Sequence, residues 1–158
     1  MYAQDEAVIA TPIGAVRITG DDLAITRITI DRDAAPAPGH AAAVREAAAQ
    51  LEAWFAGARK DFALPLAPAA TPRGQALRDA MAAIPFGETM SYGALARAAA
   101  SSPRAIGQAC ARNPFPIVVP CHRVLAAGGA LGAYSAGDGT ATKQWLLDHE
   151  RHLSGEFR

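Results

Sequence analysis

Apolar and polar positions alternate over the first thirty residues and then change period. Ala7–Ile9, Ala15–Thr19 and Leu23–Ile30 are short alternating or β-branched runs, separated by Thr11-Pro12-Ile13-Gly14 and Gly20-Asp21-Asp22, both with turn chemistry. The pattern predicts a meander of about three strands. Asp33 to Gly39, with Pro36 and Pro38, reads as a connector. From Ala41 to Phe55 the apolar residues Val44, Leu51, Trp54 and Phe55 recur at helical spacing, up to Gly57. So few elements are marginal alone, and this lobe is expected to lean on the rest of the chain.

Phe62 to Pro72, with Pro65, Pro68 and Pro72, reads as an extended linker. Beyond it the helical period returns. Gln75–Ile84 carries Leu77, Met81 and Ile84 and stops at Pro85 and Gly87. Ser91 then stands as an N-cap for a helix through Ala100. After Ser101-Ser102-Pro103, Arg104–Arg112 predicts another helix, and the pair suggests a helix-turn-helix. Asn113-Pro114-Phe115-Pro116 forces the chain extended, and Ile117–Val119 reads as a short buried strand or straight segment. A glycine-rich loop covers Gly128 to Gly139, and Thr140 is a candidate cap for a final helix to about His152. The expected architecture is α+β, a small β-meander and helix lobe (residues 1–68) packed on a mostly helical lobe (69–158).

Composition narrows the classes. The chain has 158 residues, 51% hydrophobic and 19% charged, with roughly a quarter alanine, which supports a folded core and excludes general disorder. No apolar run approaches the ~20 residues of a membrane span, and the first residues lack a secretory pattern. Two cysteines, Cys110 and Cys121, are too few for a disulfide scaffold or a four-thiolate metal site. These readings lead to an expected soluble protein of a reducing compartment with no membrane partner. Fifteen basic and fifteen acidic residues cancel, yet Thr89 to Gly137 holds no Asp or Glu while containing Arg97, Arg104, Arg112 and Arg123. Such a stretch suits a surface facing phosphates, and chance in an alanine-rich segment accounts for it equally well.

The sharpest local feature is Pro120-Cys121-His122-Arg123. A free cysteine is often simply a buried residue, and Cys110, inside a helix, fits that reading. Cys121 stands between a proline and two basic side chains that favour its thiolate. Adjacent side chains do not face each other on a regular element, so a Cys121–His122 pair needs a turn or an intervening water. A histidine base needs a third group to fix its tautomer, and Asp148 and Glu150 are both candidates. His149 and His152 lie one helical turn apart, but no histidine pairs with cysteine at ligand spacing, so no metal site is expected.

The block Asn113-Pro114-Phe115-Pro116-Ile117-Val118-Val119-Pro120-Cys121-His122-Arg123-Val124 closely resembles the O6-alkylguanine-DNA alkyltransferases, also called methylated-DNA–protein-cysteine methyltransferases. Gly128-Gly129, Gly132, Tyr134-Ser135, Lys143 and Leu146-Leu147 continue the match. Upstream it takes in Ile84 to Thr89, Ser91-Tyr92-Gly93 and Arg104-Ala105-Ile106-Gly107. Leu51, Trp54 to Gly57 and Thr11 to Gly14 extend it more weakly. The resemblance implies transfer of an alkyl group from guanine O6, in duplex DNA, to Cys121, once per molecule and without a cofactor. It implies that His122 draws the thiol proton through a water and that Glu150 orients His122. Tyr92 matches the residue that serves the leaving guanine, and Asn113 the one that ties the cysteine loop to the recognition helix. Arg104 matches the arginine that fills the gap left by an extruded nucleotide, with Ser91, Tyr92, Ala105, Arg112 and Arg123 as further DNA-contacting candidates. Val124, Tyr134, Ser135 and Cys110 are the expected pocket residues. No obligate protein partner is implied, and the protein expected from the resemblance is a cytoplasmic monomer.

The chain departs from that pattern in three places. Tyr92 to Arg104 is two positions shorter than the family spacing and lacks the turn glycine. Arg73 and Leu77-Arg78 stand where the family carries an aromatic and a valine-tryptophan pair, so that helix packs differently or presents extra positive charge. The Tyr134–Lys143 loop is long, with Ala133 and Ala136 replacing common glycines. The first lobe has no cysteine, so the zinc site of some members is not expected there. Two other functions are weighed: an alkylguanine-binding protein of the same fold that accepts no alkyl group, and a cysteine hydrolase. The hydrolase needs an oxyanion hole, for which the sequence offers no clear sign.

Overall fold

The computed structural model describes residues 4–155. Its contacts divide the chain into two compact units, with the boundary between Ala67 and Pro68. In the first unit, β1 (Asp5–Thr11), β2 (Gly14–Gly20) and β3 (Ile25–Asp31) form an antiparallel sheet in the order β1-β2-β3. Helix α1 (Ala42–Phe55) buries Val44, Ala47, Leu51 and Trp54, a stripe at helical spacing, while Val16, Ile18, Ile25 and Ile28 are buried from the sheet. Ala41, at the helix start, offers no side-chain cap. Carboxylates distant in sequence do that work. Asp5 accepts from the backbone N–H groups of His40 and Ala41 at 2.6 and 2.7 Å, and Asp22 from that of Ala42 at 2.8 Å.

The expected linker is partly built into this unit. Ile25 bonds to the Pro65 carbonyl and Ala67 to the Ile25 carbonyl, both at 2.8 Å, so Leu66 lies parallel to β3. Gln50 both donates to and accepts from the Ala63 backbone. The end of the supposed linker belongs instead to the next helix, α2 (Pro72–Ala82), which starts three residues earlier than its apolar spacing suggests. Thr71 caps it by accepting from Gly74, and Pro72 takes the first helical position, where a missing N–H leaves no bond unmade.

In the second unit, the two-residue strands β4 (Met90–Ser91) and β5 (Val124–Leu125) pair in parallel, Met90 with Val124 and Ser91 with Leu125. Ser91 caps α3 (Tyr92–Ala98), and Ser102 caps α4 (Pro103–Ala111), each accepting a backbone N–H three residues on. The turn between these helices closes with Ala100 at φ 53° and with Ser101 N–H donating to Ala96 O at 2.8 Å. An alanine therefore holds the left-handed position that a helix-ending glycine usually takes.

Ile117 to Val119 is a turn rather than a strand. Ile117 has φ 75°, rare for a β-branched residue, and Val119 N–H bonds to Phe115 O at 2.8 Å. The final helix, α5 (Thr140–Leu153), has Gly139 rather than Thr140 at its N-cap, with φ 67°. No helix among the described residues is long and apolar enough to cross a membrane.

Candidate active site

Cys121 sits at a corner made by its own backbone. Pro120, at φ −83° and ψ 64°, forms an inverse γ-turn in which Cys121 N–H donates to Val119 O at 2.8 Å. One turn of 3₁₀ helix, Cys121–Arg123, follows and delivers the chain into β5. The corner is braced by Asn113, whose side-chain amide donates to Val119 O at 2.8 Å and to Cys121 Sγ at 3.3 Å. Asn113 thereby links the end of α4 to the thiol. Burial pushes the Cys121 thiol up, while the Asn113 bond and the Lys143 ammonium pull the other way.

His122 points away from solvent and is fully buried. Its Nε2 lies 2.8 Å from Glu150 Oε2, and Arg123 donates to both oxygens of the same carboxylate, the nearest bond being 2.6 Å. Arg123 also donates to Ile84 O at 2.6 Å and lies over the Phe86 ring. Burial alone raises the Glu150 carboxyl, but His122 and Arg123 outweigh it and hold the group at about 2. Burial lowers the His122 imidazole, more than Glu150 raises it. An ionised Glu150 beside a neutral His122 fixes the tautomer: Nε2–H donates to Glu150, and Nδ1 becomes the accepting nitrogen. The arrangement supplies a neutral base one residue from a thiol. The alternative carboxylate, Asp148, is exposed and accepts from Gln144.

Gly87 closes this cluster from the other side. Its N–H reaches Glu150 Oε1 at 3.4 Å, and its φ is 83°. A Cβ there would lie 2.2 Å from Ser154 Oγ, so the close approach of this turn to α5 requires glycine.

Cys121 lines a cavity of about 140 Å³ together with Tyr92, Gly107, Cys110, Tyr134 and Ser135. Tyr92 and Gly107 also line an outer groove shared with Ser91, Pro103 and Ala126. Burial raises the Tyr92 phenol, which stays a proton donor at neutral pH. The Tyr134 hydroxyl is buried with no hydrogen-bond partner. Ser135 is exposed, its hydroxyl 3.4 Å from Ala111 O. Cys110 is pushed up to about 12 by burial and contacts Met81 Sδ at 3.5 Å, so it stays a thiol at neutral pH.

The remaining residues of the sequence reading separate into two groups. Arg104, the second residue of α4, and Arg112, its C-cap, are exposed, as is Arg97, and Ala105 is half-buried beside Arg104. Arg123 does not fit its DNA-contacting assignment. It is 6% exposed, and its guanidinium is committed to Glu150 and Ile84. Lys143 was given no role from sequence, yet it is fully buried and its ammonium donates to Val124 O at 2.7 Å and Ala133 O at 3.3 Å. It ties the strand after the cysteine turn to the loop that carries Tyr134. The available signal was its place on α5: Lys143, Leu146, Leu147 and Glu150 share one buried face. Among the described residues no cluster of His, Cys, Asp or Glu could hold a metal ion.

Residues 73–152 match the family model described as 6-O-methylguanine DNA methyltransferase, DNA binding domain. The chain is 50% identical over 109 residues to a constitutive methylated-DNA–protein-cysteine methyltransferase of Bacillus subtilis, covering 67% of this chain and 65% of that protein. It is 37% identical to a methylated-DNA–protein-cysteine methyltransferase of Methanosarcina acetivorans, over 91% of this chain and 96% of that one. A crystal structure of Mycobacterium tuberculosis OGT in complex with DNA matches with a TM-score of 0.81 at 34% identity, covering 94% of this chain and 93% of that one. A cysteine on a braced corner, beside a buried His–Glu–Arg cluster, thus stands within a sequence match that runs through both units, and the chain belongs to the 6-O-methylguanine DNA methyltransferase family.

Proposed function

We propose that this chain repairs duplex DNA by moving the alkyl group of O6-alkylguanine, methyl above all, onto Cys121 Sγ. The observation that carries the reading is the pairing of a thiol that accepts from Asn113 with, on the next residue, an imidazole held neutral by burial against an ionised Glu150. His122 Nδ1 takes the thiol proton, through a water, as the lesion enters the cavity. The thiolate attacks the saturated carbon, a carbon–sulfur bond forms and the carbon–O6 bond breaks. The electron pair passes to the purine, which takes up a proton. Tyr92, a phenol kept neutral, is the donor nearest that purine in this reading, and solvent then carries the proton held by His122 back to Tyr92, restoring both groups. Thiol and alkylguanine become thioether and guanine, so atoms and charge balance with no cofactor. A thioether is a poor leaving group, and the protein acts once.

The target atom lies inside a base stack, so the nucleotide must rotate out at a cost of roughly a few kcal/mol. Arg104, exposed at the start of α4, fills the vacated space, with Ser91, Ala105 and Arg112 along the same surface. Tyr134 and Ser135, which line the cavity with Cys121, wall the extruded base, whereas the fully buried Val124 is not among the lining residues. Cys121→Ala tests the assignment. The variant should lose all transfer from a duplex containing O6-methylguanine while binding it about as tightly as the unaltered chain in a gel-shift titration. Transfer by the variant would remove Cys121 from the mechanism, and loss of binding without unfolding would give the thiol a structural role.

A further inference from the structure

Helices α2 and α4 flank a groove of about 490 Å³ whose rim carries three arginines, Arg73 and Arg78 from α2 and Arg112 from the end of α4. Its lining is otherwise apolar or uncharged, with Leu77, Met81 and Ala105 among it, and contains no carboxylate. The nearest acid on α2, Asp79, is exposed and engaged by Gln75. Arg73 reaches across to the turn before α4, its guanidinium 3.1 Å from Ser101 Oγ. Arg78 lies over the Phe115 ring at 5.1 Å, which fixes its position on the loop between α4 and Cys121. Both α2 arginines stand where the family resemblance expects aromatic residues, so the charge is a property of this chain.

Three guanidinium groups along an apolar floor whose lining holds no acid concentrate positive potential, which Asp79 beside Arg78 offsets only in part, and select an anionic partner. Two arguments favour a phosphate backbone. Guanidinium groups match phosphate oxygens in pairs of hydrogen bonds. The groove also shares residues with the surface proposed to meet the lesion, because Ala105 and Arg112 of that surface line it. We propose that this groove holds the backbone phosphates of the duplex beside the extruded nucleotide, through Arg73, Arg78 and Arg112. The proposal rests on the DNA-repair reading above and extends the contact surface from α4 onto α2.

The test is the salt dependence of binding to a duplex containing O6-methylguanine, for the unaltered chain, Arg73→Ala, Arg112→Ala, their double variant and Arg73→Lys. Both arginines are exposed, and circular dichroism checks the fold. Each alanine should make the slope of log K against log salt shallower by about one, and the double variant by about two, while Arg73→Lys keeps the original slope. Unchanged slopes in the alanine variants would overturn the proposal. Unchanged slopes together with lost binding to a poly-glutamate peptide would overturn it in favour of an acidic protein partner. Methyl transfer by the unaltered chain, read by mass on the same duplex, separates the two failures. Transfer with unchanged slopes removes only the groove, and no transfer removes the repair reading itself.

Discussion

Glu150 gathers hydrogen bonds from Gly87, His122 and Arg123, and through them it sets the charge state of the site. One carboxylate here orients a neutral imidazole and neutralises a buried guanidinium. Removing it would leave Arg123 buried without its counter-charge, a loss of roughly 3–5 kcal/mol, so Glu150 substitutions report on folding before they report on chemistry. Asn113 is the cleaner probe. It donates to Cys121 Sγ and favours the thiolate, so Asn113→Ala should raise the thiol's midpoint. A bond to a charged group is worth roughly 1.5–3 kcal/mol, which moves the pH profile of Cys121 alkylation by iodoacetamide upward by about one unit or more. An unmoved profile would leave Asn113 with only its structural bond to Val119.

These residues were unequally legible in the sequence. Cys121, His122 and Asn113 lie within one block, where the fixed φ of prolines and the adjacency of thiol and imidazole already pointed to a turn. Arg123 belonged to the same block and was misread. Its partner, Glu150, lies 27 residues away on another helix, and only packing reveals that the guanidinium faces inward. Lys143 reads as a surface residue, as a lysine ordinarily is, and only the buried face that it shares on α5 reveals its task.

Among the elements, the turn between α3 and α4 is where the chain is shortest against its family pattern. The structure keeps two capped helices there by placing Ala100 in the left-handed region, a strain of about 1 kcal/mol or more for a residue with a Cβ. Ala100→Gly should therefore stabilise the protein by about 1 kcal/mol in urea denaturation, with an unchanged m-value. A destabilised variant would mean that the alanine side chain contributes packing that outweighs its backbone strain. The existence of α1 and α2 was readable from apolar spacing, and that of α3, α4 and α5 from the caps and turns that precede them. Boundaries were less so: Pro72 looked like the end of a linker, yet it is the first residue of α2, since proline suits both places. Ile117–Val119 had the composition of a strand, but two flanking prolines and the positive φ of Ile117 turn it into the corner below Cys121.

At the scale of the molecule, a chain of zero net charge divides its charge by segment rather than by total. Acid is absent from Thr89 to Gly137, and three of the four arginines there, Arg97, Arg104 and Arg112, face solvent. The fourth is spent inside on the buried cluster of His122 and Glu150. Every proposed site residue lies in the second unit, and the family match over residues 73–152 falls there too. The meander and α1 carry a core of their own and supply no side chain to the chemistry described. The central claim concerns one atom, Sγ of Cys121, and the intact mass of the protein after incubation with a duplex holding a single O6-methylguanine tests it most directly. The account predicts a stoichiometric gain of one methyl group, mapped to the peptide that contains Cys121, with none on Cys110. An unchanged mass, with selective binding of that duplex retained, would contradict it and leave a protein that recognises the lesion without accepting its alkyl group.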